Sequence, residues 1–247
     1  MVRRSAFQSR TRLSVTQLED RVVPAGMIEV LEGVDFAGTQ TLHIIGDNNA
    51  NHIRVSPSGG DMVVTSTTGP IKYTPLNGPS TTTSGPLVLP AHTWSGLATR
   101  LFVHGLNGDD NIEVIGDVWA EIQIASDAGN DRVFLDALTN KCGIGTGGGS
   151  DVVEIRNSQV RYFNVDTGLQ NDRVLIAGTN SFYVLDLSLG GGADVLEGDT
   201  TPGAGLLPLS RVEGGAAHAH SEPVRWRWEG QTVECGLLPA ARCSSQH

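Results

Sequence analysis

Apolar and acidic positions recur along this chain at a fixed spacing. With an Asp or Asn as position zero, apolar residues sit nine and seven before it and two and four after it. The copies are Leu42, Ile44, Asn51, Ile53, Val55; Leu101, Val103, Asp110, Ile112, Val114; Ile122, Ile124, Asp131, Val133, Leu135; Cys142, Ile144, Asp151, Val153, Ile155; Phe163, Val165, Asp172, Val174, Ile176; and Leu185, Leu187, Asp194, Leu196. The last five reference positions follow one another at 20 to 22 residues. A period in that range is the signature of a stacked repeat.

Length variation tells the two arcs of each repeat apart. From Val103 to Ile112, and at the matching places in every copy, the separation is always nine residues. The other arc varies: six residues lie between Leu135 and Cys142, seven between Ile155 and Phe163, eight between Ile176 and Leu185. Apolar residues two apart share one face of a strand, so each copy supplies two short strands, each too small to bury its face alone. Stacking successive coils at ~4.8 Å buries both faces in one narrow interior. The expectation is an all-β, parallel β-solenoid, β-helix-like or β-roll-like, with coils of about 21 residues.

The chain divides accordingly into four stretches. Residues 1-27 form an N-terminal segment, 28-100 hold the first repeat and an insert, 101-199 are the regular array, and 200-247 are a degenerate repeat with an irregular tail. The insert from Pro57 to Ser95 is rich in Ser, Thr, Gly and Pro, with strand-like pieces at Met62 to Thr65 and Ile71 to Tyr73. It reads as a hairpin or loop that covers the first coil, because a solenoid end exposes unpaired backbone. In the tail, Trp226 and Trp228 are candidates to cap the last coil.

Composition narrows the chemistry. An aromatic content of 5% in 247 residues suits a thin core of Val, Ile and Leu. The formal net charge is -10, and between Gly105 and Asp199 there are 16 Asp and Glu against 5 Lys and Arg, so the acidity lies in the repeats. That argues against nucleic acid as a partner. No apolar run reaches the ~18 residues of a membrane span. Cys142 takes an inward strand position and reads as a small buried side chain, while Cys235 and Cys243 in the tail are the two that could pair. His218 and His220 show no metal-ligand spacing. Glu113, Glu121, Glu154 and Asp136 could supply the two carboxylates of a glycosidase, yet nothing marks out a pair, and they read as solvated strand faces.

The turn before each reference acid carries the remaining chemistry. It reads Gly105-Leu106-Asn107-Gly108-Asp109-Asp110, Asp127-Ala128-Gly129-Asn130-Asp131, Gly147-Gly148-Gly149-Ser150-Asp151 and Gly190-Gly191-Gly192-Ala193-Asp194, with Gln170 and Asn171 before Asp172. These turns resemble Gly-Gly-x-Gly-x-Asp-x-U-x, the repeat of the RTX or haemolysin-type calcium-binding proteins. The resemblance implies Ca²⁺ held between neighbouring coils by turn carbonyls and carboxylates. The implied ligand set is Asp110, Asp127, Asp131, Asp151, Asp172 and Asp194 with Gly108, Gly129, Gly149, Gly192, Asn130 and Asn171. The match is partial, because family coils of ~18 residues carry the motif on both edges and this chain carries it on one. A single file of carboxylates ~5 Å apart would also repel by roughly 1 kcal/mol per neighbour in water and several at an effective dielectric of 20. All-oxygen loops favour Ca²⁺ among metals. Asp and Asn also serve simply to make side-chain-to-backbone turns.

The segment Leu18-Glu19-Asp20-Arg21-Val22-Val23-Pro24-Ala25 resembles the "LEDR-x-x-PA" stretch near the N-terminus of exported repeat proteins of planctomycete-type bacteria. It implies an extracellular or cell-surface address. The combined expectation is a calcium-binding β-solenoid without enzymatic activity, structural or adhesive, with cell-surface or extracellular matrix components as partners. The competing classes are a parallel β-helix polysaccharide lyase or hydrolase, and a spacer fragment of a larger surface protein.

Overall fold

A computed structural model describes residues 26–90, 99–116 and 121–200, together with the backbone of three short strands at 211–213, 224–228 and 231–235. The LEDR-type segment, His218, His220, Cys243 and the side chains of Trp226, Trp228 and Cys235 lie outside what is described.

The described chain is all strand and turn, wound into a β-solenoid. Each coil gives one strand to each of two sheets. In the first sheet run β2 (Gln40–Ile45), β8 (Thr99–His104), β10 (Glu121–Ala125), β12 (Lys141–Gly145), β14 (Gln159–Asp166), β16 (Ser181–Ser188) and β18 (Arg211–Glu213). In the second run β3 (His52–Ser58), β9 (Asn111–Ile115), β11 (Arg132–Asp136), β13 (Val152–Arg156), β15 (Arg173–Gly178), β17 (Val195–Thr200) and β19 (Val224–Trp228). Neighbours within each series are parallel and keep equivalent repeat positions opposite one another: Ile44, Val103, Ile124, Ile144, Val165 and Leu187 form one column. Val114, Leu135 and Ile155 stand in another.

Every apolar position of the repeat points inward. Leu42, Leu101, Val103, Ile112, Val133, Val153 and Val174 are among the fully buried side chains, and Cys142 lies in the same interior with its thiol pKa pushed up by burial. Alternation along a strand buries one face of each sheet, and the nine-residue arc brings the two buried faces together. Phe163 and Phe182 stack at 5.4 Å where β14 and β16 lengthen.

The first coil is covered on both sheets. β1 (Ile28–Val34) runs antiparallel to β2, β5 (Ile71–Thr74) lies parallel to β1, and β6 (Thr81–Thr83) closes that edge. On the other sheet β4 (Asp61–Ser66) folds back on β3, and β7 (Leu87–Leu89) follows it. The β3–β4 turn is Gly59-Gly60, with φ of 61° and 93°, the left-handed pair that a two-residue hairpin requires. The strand-like pieces of the insert are therefore a cap. The sequence reading placed Ile28 onward in the first repeat, whereas β1 belongs to the cap: its antiparallel pairing takes it out of the winding.

The outer faces depart from the expected solvated acids. Glu154 is only 4% exposed, held between Arg132 at 3.2 Å and the guanidinium of Arg156, whose Nε donates at 2.5 Å. Glu113 is paired with Arg54 at 3.1 Å and His52 at 3.4 Å, and Glu121 with Arg100 at 3.2 Å. The reason is the parallel register. It sets Arg132 one coil below Glu154 and Arg173 one coil below Glu197, so long side chains of opposite charge reach across the ~4.8 Å step.

Candidate functional site

The glycine-rich turn joins the two strands of a coil at one corner, and stacking lines these turns up. The residue four before the reference acid is left-handed in every coil of the array: Leu106 at φ 76°, Asp127 at 67°, Gly147 at 88°, Gly168 at 83° and Gly190 at 67°. The residue two before it also has positive φ, from 84° at Gln170 to 157° at Gly192. This geometry turns the backbone amides and carbonyls of the corner along the solenoid axis. Ala128 donates to the Leu106 carbonyl at 3.0 Å, Gly148 to that of Asp127 at 2.8 Å, Leu169 to that of Gly147 at 3.0 Å and Gly191 to that of Gly168 at 2.9 Å. In the opposite direction Gly108 donates to Ala128 at 2.8 Å, Gly129 to Gly148 at 2.9 Å and Gln170 to Gly191 at 2.6 Å. The bond from Gly149 to Leu169 stretches to 3.5 Å in the pair of coils where Gln170 replaces a glycine.

Contact between turns explains most of the glycines. A Cβ on Gly149 would lie 1.6 Å from the Gly129 carbonyl oxygen, and one on Gly147 2.1 Å from that of Asp127. Gly148, between them, has open space around it.

The reference acids face inward. Asp110, Asp131, Asp151, Asp172 and Asp194 are 1 to 3% exposed. Each Oδ1 accepts the backbone N–H of the reference residue one coil earlier: Asn51 to Asp110 at 2.7 Å, Asp110 to Asp131 at 2.8 Å, Asp131 to Asp151 at 2.8 Å, Asp151 to Asp172 at 2.9 Å and Asp172 to Asp194 at 3.0 Å. The file of carboxylates foreseen from the spacing exists as a bonded ladder. Oδ2 of Asp110, Asp131, Asp151 and Asp172 is buried and has no hydrogen-bond donor. Burial raises the carboxyl pKa throughout, to about 6 in Asp110 and Asp131 and about 7 in Asp172, with upward shifts also in Asp151 and Asp194.

A column absent from the sequence reading lines this ladder. Five residues before each acid stand Gly105, Ser126, Thr146, Thr167 and Leu189. At Gly105 the atom nearest an added Cβ is Asp110 Oδ2, at 2.2 Å. In the next three coils Ser126, Thr146 and Thr167 fill that place, fully buried, and their hydroxyls act to lower the carboxyl pKa of Asp131, Asp151 and Asp172 against the larger upward effect of burial. Each hydroxyl sends its own proton up the axis: Ser126 to the Thr146 carbonyl at 3.4 Å, Thr146 to Thr167 at 3.0 Å and Thr167 to Leu189 at 3.0 Å. The signal was a recurring small or hydroxyl residue at a fixed offset.

The other implied ligands stand apart. Asn130 and Asn171 form an exposed outer ladder, in which Asn130 N donates to Asp109 Oδ1 at 2.8 Å, Ser150 N to Asn130 Oδ1 at 3.0 Å and Ala193 N to Asn171 Oδ1 at 2.8 Å. Asp127 turns to solvent, and its carbonyl is held by Gly148. Gly108, Gly129, Gly149 and Gly192 occupy the contact between turns. Ca²⁺ takes six to eight oxygens at 2.3–2.6 Å. In this packing the carbonyls of Leu106, Asp127, Gly147 and Gly168 are spent on inter-coil bonds, and Oδ1 on the ladder. Oδ2 of the acids is left over, as are the carbonyls of Gly108, Gly129 and Gly149, which take none of these inter-coil bonds.

The carboxylates considered for glycoside chemistry divide between the two sheets, three of them on the adjacent strands β9, β11 and β13. Glu121 stands on the outer face of the first sheet, whereas Glu113, Asp136 and Glu154 stand on strands of the second. Asp136 accepts from Asn157 Nδ2 at 3.0 Å. The described strands include no helix long and apolar enough to cross a membrane. No protein-family model, no curated protein and no solved structure matches the chain.

Proposed function

We propose that the chain is a β-solenoid segment of a secreted or cell-surface repeat protein, with a structural or adhesive role. One observation carries the reading: every chemical group that recurs with the coil bonds one coil to the next. The turn amides, the Asp ladder, the hydroxyl column and the Arg–Glu pairs all run along the axis. A chain that repeats its bonding groups in register lengthens a stack. The LEDR-type segment supports the extracellular address. Calcium belongs to the reading only through the spelling of the turns, and the arrangement of oxygens above does not assign it a site.

The address is tested on intact cells producing the full chain with a C-terminal epitope. Protease added outside should remove the epitope while a cytoplasmic marker survives. An epitope that resists until the cells are lysed would place the protein inside and sink the proposal.

A further inference from the structure

Most cations among the described residues answer a carboxylate: Arg54, Lys72, Arg100, Arg132, Arg156 and Arg173 each form an ion pair. Among those residues Lys141 and Arg161 are the two that do not, in a chain holding 27 Asp and Glu against 17 Lys and Arg. Both flank one ring. Lys141 Nζ stands 5.5 Å from the centre of Tyr162, and Arg161 Cζ 5.7 Å from it. Tyr183 meets the same ring edge-on at 6.3 Å. The two tyrosines are 39% and 52% exposed, so the cluster presents two rings and two cations on the outer face of the first sheet. Glu121, which the register sets opposite Lys141, is taken by Arg100 at 3.2 Å and by Gln123 Nε2 at 3.0 Å.

Beside this cluster the sheet is bare. Gly143 and Gly145 follow Lys141 on the outer face of β12, and Ala125 lies opposite Gly145 on β10. Neither glycine has positive φ, and a Cβ on Gly145 would meet nothing within 4 Å. Glycine inside a strand weakens it, and where no turn or packing contact requires it, it marks close approach by a ligand or another chain. A Cβ on Gly143 would stand 2.5 Å from Gln123 Oε1, so that amide leans over the strand, and Asn164 borders it from β14 with an exposed side chain. From Lys141 to Gly145 the strip runs about 13 Å at ~3.3 Å per residue, room for two sugar rings.

We propose that this strip binds an acidic polysaccharide in which uronic acids alternate with neutral sugars. The uronate carboxylate lies against Lys141 and Arg161, with the apolar C–H face of its ring on the tyrosines. The next sugar lies over Gly143 and Gly145, where Gln123 Oε1 and Asn164 take its hydroxyls. Alternation follows from the far end of the strip. Asp166 stands opposite Gly145 and Asp186 opposite Asn164, and they would repel an acid on every ring. An acidic peptide matches the cations but lacks the flat hydroxylated ring that a glycine floor and two amides fit. The inference names a partner for the adhesive role proposed above and rests on that reading.

Its test is calorimetric titration of the purified full chain with an oligosaccharide of alternating glucuronate and N-acetylglucosamine, beside the same oligosaccharide with its carboxylates reduced to alcohols. The acidic form should bind at least about tenfold more tightly, through its charge-assisted contacts, and that preference should shrink as salt rises. Lys141→Gln/Arg161→Gln should abolish the preference, and Lys141→Arg should keep it. Gly145→Thr should weaken binding at least about tenfold while melting no lower than the wild type, because an open strand position favours Thr over Gly. No binding at millimolar oligosaccharide, equal affinity for the reduced form, or undiminished binding by Gly145→Thr would overturn the proposal. Displacement by an equal charge concentration of polyglutamate would assign the cations to an acidic protein segment and sink the saccharide. Should a variant fail to fold, the wild type's choice between the two oligosaccharides decides. A negative result on purified protein removes this ligand and leaves the cell-surface address to the protease experiment.

Discussion

Replacing Gly149 by Ala sets the contact between turns against its own neighbour as a control. The new Cβ would stand 1.6 Å from the Gly129 carbonyl oxygen, whereas ordinary contact begins at 3.4 Å, so the two turns must part by nearly the difference or the backbone must rotate. At φ 149° the residue also sits in a region that only glycine enters freely, a strain of about 1–3 kcal/mol for Ala. Four hydrogen bonds hold these turns together: Gly148 N to Asp127 O at 2.8 Å, Gly129 N to Gly148 O at 2.9 Å, Ser150 N to Asn130 Oδ1 at 3.0 Å and Asp131 N to Asp151 Oδ1 at 2.8 Å. Losing two of them at ~1 kcal/mol each brings the cost to about 3–5 kcal/mol. For a chain of this size that lowers the melting temperature by about 10 °C. Gly148→Ala, one residue away in open space and without positive φ, should change stability by less than ~0.5 kcal/mol. Thermal unfolding of the two variants, followed by circular dichroism, makes the comparison. Equal melting temperatures would show that the turns are not in contact as described.

Val165→Asp should be severe, at more than about 4 kcal/mol, because it sets an unpaired charge in a fully buried column; a soluble variant with wild-type dichroism and melting would contradict the register. Glu154→Ala should cost about 1–2 kcal/mol in urea unfolding, the burial of the carboxylate being tempered by the half-exposed guanidiniums of Arg132 and Arg156, and no change would return it to the class of solvated acids.

What could be read in advance was whatever repeats with the coil. Every apolar position of the spacing pattern is buried, and the constant nine-residue arc turned out to be the corner where Asp110 to Asp194 stack. Contacts between coils were harder to see. That Arg132 would reach Glu154 depends on how a long outer side chain leans across the step to the next coil, which the spacing of apolar positions does not tell. The direction of the carboxylates was equally hidden. A Gly-rich turn ending in Asp spells both an ion-binding loop and a tight inter-coil contact, and the φ values and axial bonds show the contact. The column of Ser126, Thr146 and Thr167 could have been found, because its offset is as regular as that of the acids.

The axial run of bonds also determines how such a stack would bear load. Strand hydrogen bonds, turn bonds and the carboxyl ladder all point from coil to coil, so tension along the axis falls on the same interfaces one after another, in series. Coils would detach singly, each releasing 20 to 22 residues, or about 70 Å of extended chain. A protein built this way yields in equal steps under pull, dissipating work at every step while the coils still wound keep their grip.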